Sequence, residues 1–162
     1  TPVDCLHICG ACFLIKRKHL PIIGYFDERY FMYAEETDYC RHARLLGYRV
    51  ICSPVTITHF TEGSPMNRDK RHQMHHHSVG LYEQKWANPD KVILNTITSP
   101  QVLRRGQLIR GNGPTVFFLL NHIKYPIPSE EVFNKLNFRW EDIKHITQQE
   151  LDKYPIGAIL YI

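Results

Sequence analysis

The chain has 162 residues, 43% hydrophobic and 22% charged, which excludes a disordered tail and predicts a soluble globular fold. Its net charge of +4 suits a partner that carries phosphates, but it is too low for the concentrated basic face of a nucleic-acid-binding protein. Five cysteines, an odd number without the spacing of a secreted scaffold, favour a reducing cytosol.

The first 90 residues carry strand-like and helical patterns in alternation. Cys9–Lys16 alternates in hydrophobicity and predicts a strand, after which Pro21 and Gly24 mark a turn. Asp38–Leu46 has the apolar spacing of a short amphipathic helix, which Gly47 would end. The other elements predicted here are strands at Tyr48–Ser53 and Val55–Phe60 and a helix at Ser78–Trp86.

The composition changes after about residue 90. Residues 91–114 contain turn-forming residues and predict a connector. Beyond it we expect a strand at Thr115–Asn121, a helix capped by Ser129, a helix near Gln148–Lys153 and a strand at Ala158–Ile162. The fold class is therefore α/β, and residues 115–162 are interpreted as the start of a second, truncated α/β domain.

Three carboxylates lie at the start of the predicted helix, after a loop rich in aromatic residues. Glu35, Glu36 and Asp38 are favoured there by the helix dipole, and they cannot all face the same way. Glycosyl transfer with inversion needs one carboxylate to take the proton of the attacking hydroxyl, and positive charge on the departing diphosphate. His59, at the end of a predicted strand, is a suitable metal ligand or phosphate contact.

Five separated blocks carry a family resemblance. In this order and spacing they resemble the C-terminal half of the family 2 glycosyltransferases of the GT-A type, particularly the bacterial rhamnosyltransferase-like members, over about residues 3–90. The blocks are Gly10–Ile15, Gly24–Tyr33, Glu35–Arg41, Gly47–Val50 and His59–Ser64. The resemblance implies that residues 1–90 form the acceptor-side half of a partial GT-A-like mixed sheet with flanking helices.

The resemblance also assigns roles to individual residues. It implies that Glu36 is the general base, with Glu35 and Asp38 positioning the base or the acceptor. It implies that His59 helps hold a divalent metal, Mn²⁺ or Mg²⁺. On the acceptor side it places Gly10, Ala11, Phe26 and Asp27, and near the donor diphosphate it places Arg68, Arg71 and His72.

The function that follows is an inverting transferase acting in surface polysaccharide synthesis. It would move a sugar from a nucleotide-sugar donor to a glycan or lipid-linked acceptor. The expected location is the cytoplasm, with peripheral association at the inner face of the membrane, and no nucleic-acid partner is expected. The family's Asp-x-Asp motif and nucleotide-binding half are expected before Thr1, so this chain is expected to be a fragment that is inactive alone.

Two other functions compete with this interpretation. Cys5, Cys9 and Cys12 have the C-x3-C-x2-C spacing that holds a 4Fe–4S cluster in radical S-adenosylmethionine enzymes. A strand over Cys9–Lys16 would send neighbouring side chains to opposite faces, which disfavours a cluster. The second alternative is a non-catalytic carbohydrate-binding module.

Four histidines lie close together at positions 72 and 75–77. Consecutive helical residues diverge by about 100°, so His75, His76 and His77 do not share a face. This segment therefore predicts a basic surface and not a metal site.

Overall fold

A computed structural model describes residues 1–60 and 66–161, and the chain divides into two compact units, Thr1–Pro89 and Asp90–Ile162. Each unit combines helices with one small sheet, which confirms the mixed α/β class. Among the described residues, no helix is both long enough and apolar enough to cross a bilayer.

The first unit is mainly helical. Its sheet has two short antiparallel strands, in which Val3 pairs with Cys52 and Asp4 with Ile51. The ranges are β1 Val3–Asp4, β2 Ile51–Cys52, α1 Leu20–Ile23, α2 Glu35–Leu45 and α3 Arg68–Trp86. The predicted helix Asp38–Leu46 is present as α2, but it begins three residues earlier, so all three acidic residues lie in its first turn.

Strand predictions in the first unit are largely wrong. Cys9–Lys16 contains a 3₁₀ turn at Gly10–Cys12 and no strand. Val55–Phe60 also contains no strand, and Tyr48–Ser53 is a strand only at β2. Alternating hydrophobicity produces a strand only where a neighbouring strand takes up the backbone hydrogen bonds, and here only β1 does so over two residues.

Helix α3 is longer than the predicted Ser78–Trp86. It begins at Arg68, where the Asn67 side chain accepts a hydrogen bond from the Lys70 backbone N–H at 2.8 Å. The additional turns have no apolar periodicity because most of their side chains are exposed. Ser78 anchors the middle of the helix by donating its hydroxyl hydrogen bond to the Met32 carbonyl at 2.7 Å.

The core of the first unit forms where α1 and α2 meet the aromatic side chains of the loop between them and of α3. Its buried apolar residues are Ile22, Ile23, Tyr30, Tyr39, Cys40, Ala43, Leu46 and Trp86. The face of α2 that carries Tyr39 and Ala43 is therefore fixed against this core.

The second unit is built on a four-stranded sheet in the order β5-β4-β3-β6. Strands β3, β4 and β5 run antiparallel in sequence, and β6 joins β3 in parallel. The strands are β3 Gln107–Arg110, β4 Val116–Leu120, β5 Ile123–Pro126 and β6 Lys144–His145. The helices are α4 Pro89–Ile97, which begins at the boundary, α5 Pro100–Leu103, α6 Glu130–Lys135 and α7 Gln148–Leu151.

The structure corrects the predicted domain boundaries. Residues 91–114 are not a connector, because they form most of α4, α5 and β3 within the second unit. Ile97, Val102 and Ile109 from this segment are almost fully buried. Their burial, and not the turn residues between them, decides that the segment belongs to the domain.

Ala158–Ile162 was predicted to be a strand, and no strand is present at residues 158–161, while residue 162 lies outside the described range. Leu160 is instead fully buried and its backbone N–H donates to the Pro126 carbonyl at 2.9 Å. The predicted strand at Thr115–Asn121 and the helices at Ser129 and Gln148 are present as β4, α6 and α7.

Candidate functional site

The loop before α2 has an unusual backbone that sets where the helix begins. Tyr33 and Ala34 have φ angles of 71° and 69°, in the left-handed region that non-glycine residues rarely adopt. Each such residue costs about 1–3 kcal/mol, and such strain clusters at ligand-binding and catalytic positions. The two residues turn the chain so that α2 starts at Glu35.

Glu35 and Glu36 both lie beside Gly10. A Cβ atom placed on Gly10 would lie 3.8 Å from Glu35 Oε1 and 3.9 Å from Glu36 Oε1. The resemblance assigned these three residues to one site, and the structure brings them together across 25 or more residues of sequence. Two carboxylates that share one glycine-lined space repel each other, so a cation or a proton donor placed there would stabilise them.

Both carboxylates of this pair have a buried oxygen without a partner. Glu35 Oε2 and Glu36 Oε2 are shielded from solvent and accept no hydrogen bond. Leaving such an acceptor unsatisfied costs about 1–3 kcal/mol, and more for a charged group. Buried polar atoms normally have a hydrogen-bond partner, and the hydroxyl of a bound ligand could donate a hydrogen bond to each of these oxygens.

The absence of a side chain at Gly10 keeps this space open. The contacts of 3.8–3.9 Å are ordinary van der Waals distances, so a methyl group would fit there. A longer side chain would extend towards the two carboxylates. Gly10 is exposed, so the space is reached from the surface of the unit.

Asp38 is placed differently from its two neighbours on α2. It is only 3% exposed, and both of its carboxylate oxygens are occupied. Trp86 Nε1 donates to Oδ1 at 2.7 Å, and Lys85 Nζ donates to Oδ2 at 2.7 Å. Asp38 therefore joins α2 to the last turn of α3, and the structure does not bring it to the Gly10 space.

Asp27 belongs to the same charged cluster as Asp38. Its carboxylate receives a bidentate pair of hydrogen bonds from Arg29 at 2.9 and 2.6 Å, and a third from Lys85 Nζ at 3.1 Å. The Arg29 hydrogen bond, reinforced by Lys85, holds the pKa of Asp27 well below its usual range. Asp27, which the resemblance placed on the acceptor side, is thus engaged within the protein.

Two more groups around this cluster have shifted pKa values. Burial raises the pKa of Tyr30 well above its usual value, and the charge of Asp38 adds to that effect. Burial also lowers the pKa of His42 to about 4, and the positive charge of Lys85 acts in the same direction. His42 is therefore neutral near pH 7.

An apolar groove lies beside the Gly10 turn. Its volume is about 900 Å³, and Ala11 and Phe13 line it together with Tyr39 of α2. Phe13 also packs with Phe26, with ring centres 5.5 Å apart, and Tyr39 lies 5.1 Å from Phe26. The hydroxyl of Tyr39 has no hydrogen-bond partner, and burial raises its pKa to about 12.

Arg68, Arg71 and His72 lie in the first two turns of α3. The next turn of this helix contacts the loop that leads to Glu35, since the ring of His75 lies 5.4 Å from that of Tyr33. Arg68, Arg71 and His72 are therefore on the helix that packs against the loop before α2.

His59 is exposed and lies in no helix or strand, and residues 61–64 of its block, which include Gly63 and Ser64, lie outside the described residues. Within residues 1–60 and 66–161, no three or more His, Cys, Asp or Glu side chains are grouped to hold a metal ion. That statement covers His59 and also Cys5, Cys9 and Cys12. The resemblance implies only one ligand, His59, from this part of the protein, so the expected Mn²⁺ or Mg²⁺ site stays a prediction.

Lys85 is the site residue that the sequence did not reveal. It lies 47 residues from Asp38 and 58 from Asp27, and it bridges both carboxylates. No local spacing predicts such a contact, because it depends on how α2 and α3 pack. The adjacent Trp86 is buried and donates its indole N–H to the same Asp38 carboxylate.

Comparison of the chain with protein-family models, with curated proteins and with solved structures finds no match in any of the three.

Proposed function

We propose that the first unit is the acceptor-side half of an inverting GT-A glycosyltransferase, in which Glu36 is the general base. The observation that supports this most is the carboxylate pair of Glu35 and Glu36 beside Gly10, with one buried and unpartnered oxygen on each. An acceptor hydroxyl that donates a hydrogen bond to such an oxygen removes the cost of leaving it unsatisfied.

In this proposal the two carboxylates divide the work. The Glu36 carboxylate takes the proton of the acceptor hydroxyl while that oxygen attacks the donor sugar carbon, and the nucleoside diphosphate leaves from the opposite side. Glu35 holds the acceptor by a second hydrogen bond. Asp38 acts only indirectly, because its contacts with Lys85 and Trp86 fix the position of α2.

The proposed acceptor is a glycan or a lipid-linked sugar. The groove of about 900 Å³ beside the Gly10 turn offers an apolar wall, and sugar rings and lipid chains both pack on such surfaces. Setting and location follow from the resemblance: surface polysaccharide synthesis, in the cytoplasm at the inner face of the membrane.

In this proposal the start of α3 takes part in donor binding. Arg68 and Arg71 would supply positive charge to the diphosphate, with the remainder of the donor site in a nucleotide-binding half. The divalent metal expected from the resemblance would neutralise charge on the leaving group. Within residues 1–60 and 66–161 no group of three or more His, Cys, Asp or Glu side chains that could hold a metal ion is present, and His59 is the single ligand proposed from this chain.

The test is Glu36→Gln in the full-length protein, assayed for sugar transfer from a panel of nucleotide-sugar donors. Removing a general base lowers the rate by about 10²- to 10⁴-fold. Nucleotide binding and the far-UV circular dichroism spectrum should stay unchanged. The matched control is Glu28→Gln, an exposed carboxylate in the preceding loop, which should retain full activity.

Gly10 provides a second test. Gly10→Ala fits at ordinary contact distance and should keep activity, whereas Gly10→Leu fills the space before the carboxylates and should abolish it. Near-normal turnover by both Glu36→Gln and Glu35→Gln would remove the pair from the mechanism. If the protein with Glu35 and Glu36 unchanged binds sugars but does not transfer them, the carbohydrate-binding alternative is favoured.

One observation favours that alternative. Tyr25 and Phe31 are 82% and 79% exposed, and exposed aromatic rings are surfaces on which sugars stack. If the chain is a binding module, Tyr25→Ala and Phe31→Ala should weaken glycan binding, while Glu36→Gln should not change it.

A further inference from the structure

Helix α3 carries two histidines one turn apart, and this pair has the spacing of a bidentate metal site. His72 and His76 occupy positions i and i+4, which lie above one another on a helix surface. Their ring centres are 5.3 Å apart, and both residues are exposed. The same spacing of two helical histidines holds Zn²⁺ in metalloproteases.

The separation of the rings agrees with the geometry of metal coordination. Zn–N bonds are about 2.0–2.1 Å, and an imidazole nitrogen lies about 1.1 Å from its ring centre, so two ligands at a tetrahedral angle have ring centres about 5 Å apart. The observed 5.3 Å therefore requires only that the two rings turn towards a common point. Because both side chains are exposed, this rotation meets little steric resistance.

The neighbouring histidines do not have this geometry. His75 and His76 are adjacent in sequence, and their ring centres lie 6.1 Å apart on side chains that diverge around the helix. His75 instead packs against Tyr33 of the loop before α2. The expectation that residues 75–77 share no face is consistent with this, but it overlooked the i, i+4 pair.

We propose that His72 and His76 bind one divalent transition-metal ion, such as Zn²⁺, Ni²⁺ or Cu²⁺. Imidazole suits these metals, whereas the hard ions Mg²⁺ and Ca²⁺ prefer oxygen ligands. Two protein ligands leave the other coordination positions to water or to an anionic oxygen ligand. Arg68, exposed one turn before His72, places a positive charge on the same side of the helix and favours an anion there.

This site does not depend on the proposed glycosyltransferase function. It includes His72, which the resemblance placed near the donor diphosphate, but it uses neither the proposed base Glu36 nor His59. The described residues contain no group of three or more potential metal ligands, but this site needs only two. The proposal can therefore fail or succeed separately from the assignment of the base.

The experiment is a Zn²⁺ titration of the whole chain, followed by nuclear magnetic resonance of the histidine ring signals. The ring signals of the ten histidines are followed individually. Zn²⁺ binding at His72 and His76 is therefore distinguished from Zn²⁺ binding by the five cysteine thiols. The ring signals of His72 and His76 should shift together, with one shared midpoint. Far-UV circular dichroism should confirm that the helix content of every variant is unchanged.

Three variants complete the test. His72→Gln should raise the Zn²⁺ midpoint at His76 by about tenfold or more, because two ligands on one scaffold make the second bond intramolecular. His76→Gln should do the same at His72, while the matched control His77→Gln should leave both midpoints unchanged. Three results would overturn the proposal. They are separate Zn²⁺ midpoints for the His72 and His76 rings, no shift of either ring signal below about 1 mM Zn²⁺, or a change of both midpoints in His77→Gln as large as in the other variants.

Discussion

Replacing Asp38 should destabilise the first unit, because its buried carboxylate accepts hydrogen bonds from Trp86 and Lys85. Asp38→Ala removes the acceptor of Trp86 Nε1, a bond of 2.7 Å from a buried indole. A buried donor left unpaired costs about 1–3 kcal/mol. The substitution also removes one of the two carboxylates that contact Lys85 Nζ.

The Lys85 contribution can be bounded from its surroundings. Removing one member of a buried ion pair costs about 3–5 kcal/mol when the remaining charge has no other partner. Lys85 keeps Asp27 at 3.1 Å, and its side chain is 16% exposed, so its share is smaller. The combined loss is about 3 kcal/mol for Asp38→Ala, and less than this for Asp38→Asn, which still offers one oxygen as acceptor.

Urea unfolding measures this loss, with Trp86 fluorescence as the reporter. The only other tryptophan, Trp140, belongs to the second unit, so a Trp140→Phe background makes the signal specific to the first. With urea m-values of about 1–3 kcal/mol/M, the midpoint should fall by about 1–3 M. A loss below about 0.5 kcal/mol, the range of ordinary surface substitutions, would refute the assigned role of Asp38.

Two further predictions concern pH and packing. The pKa of His42 is about 4 in the folded protein, against an ordinary value of 6.5. As the pH falls, His42 is therefore protonated in the unfolded chain before it is protonated in the folded protein. Stability of up to about 3 kcal/mol should therefore be present at pH 7 and lost between about pH 6.5 and 4, and urea unfolding of His42→Gln should show a flatter pH profile over that window. In the second unit, a Cβ on Gly106 would lie 2.1 Å from the Phe118 ring, so Gly106→Ala should cost about 1–3 kcal/mol and speed amide hydrogen exchange in β4. Gly113→Ala, whose Cβ meets nothing within 4 Å, is the matched control, and equal exchange in both variants would contradict the packing argument.

Elements with strong local signals were predictable from the sequence. The Ser129 side chain accepts a hydrogen bond from the Val132 N–H, as expected of a helix cap. Strand β4 alternates between buried and partly exposed residues within one residue of its predicted ends. Both features depend on residues that are close in sequence, so a local pattern is sufficient to reveal them.

Elements that depend on distant partners were not predictable. The alternating pattern of Cys9–Lys16 is that of a strand, yet the structure places no strand beside it, and the segment turns at Gly10–Cys12. The polar start of α3 lacked an apolar face, because that part of the helix is mostly exposed. Periodicity reports burial, and burial is settled only when the elements pack.

The three acidic residues at the start of α2 show the same division. The sequence by itself placed Glu35, Glu36 and Asp38 near the start of a helix, where the helix dipole favours carboxylates without any distant contact, although its predicted start at Asp38 was three residues late. Only the tertiary structure decided that Asp38 is bound by Lys85 and Trp86, 47 and 48 residues away, while the other two carboxylates lie beside Gly10. Side chains at successive positions of a helix point in different directions, so their chemistry depends on which parts of the chain pack around them.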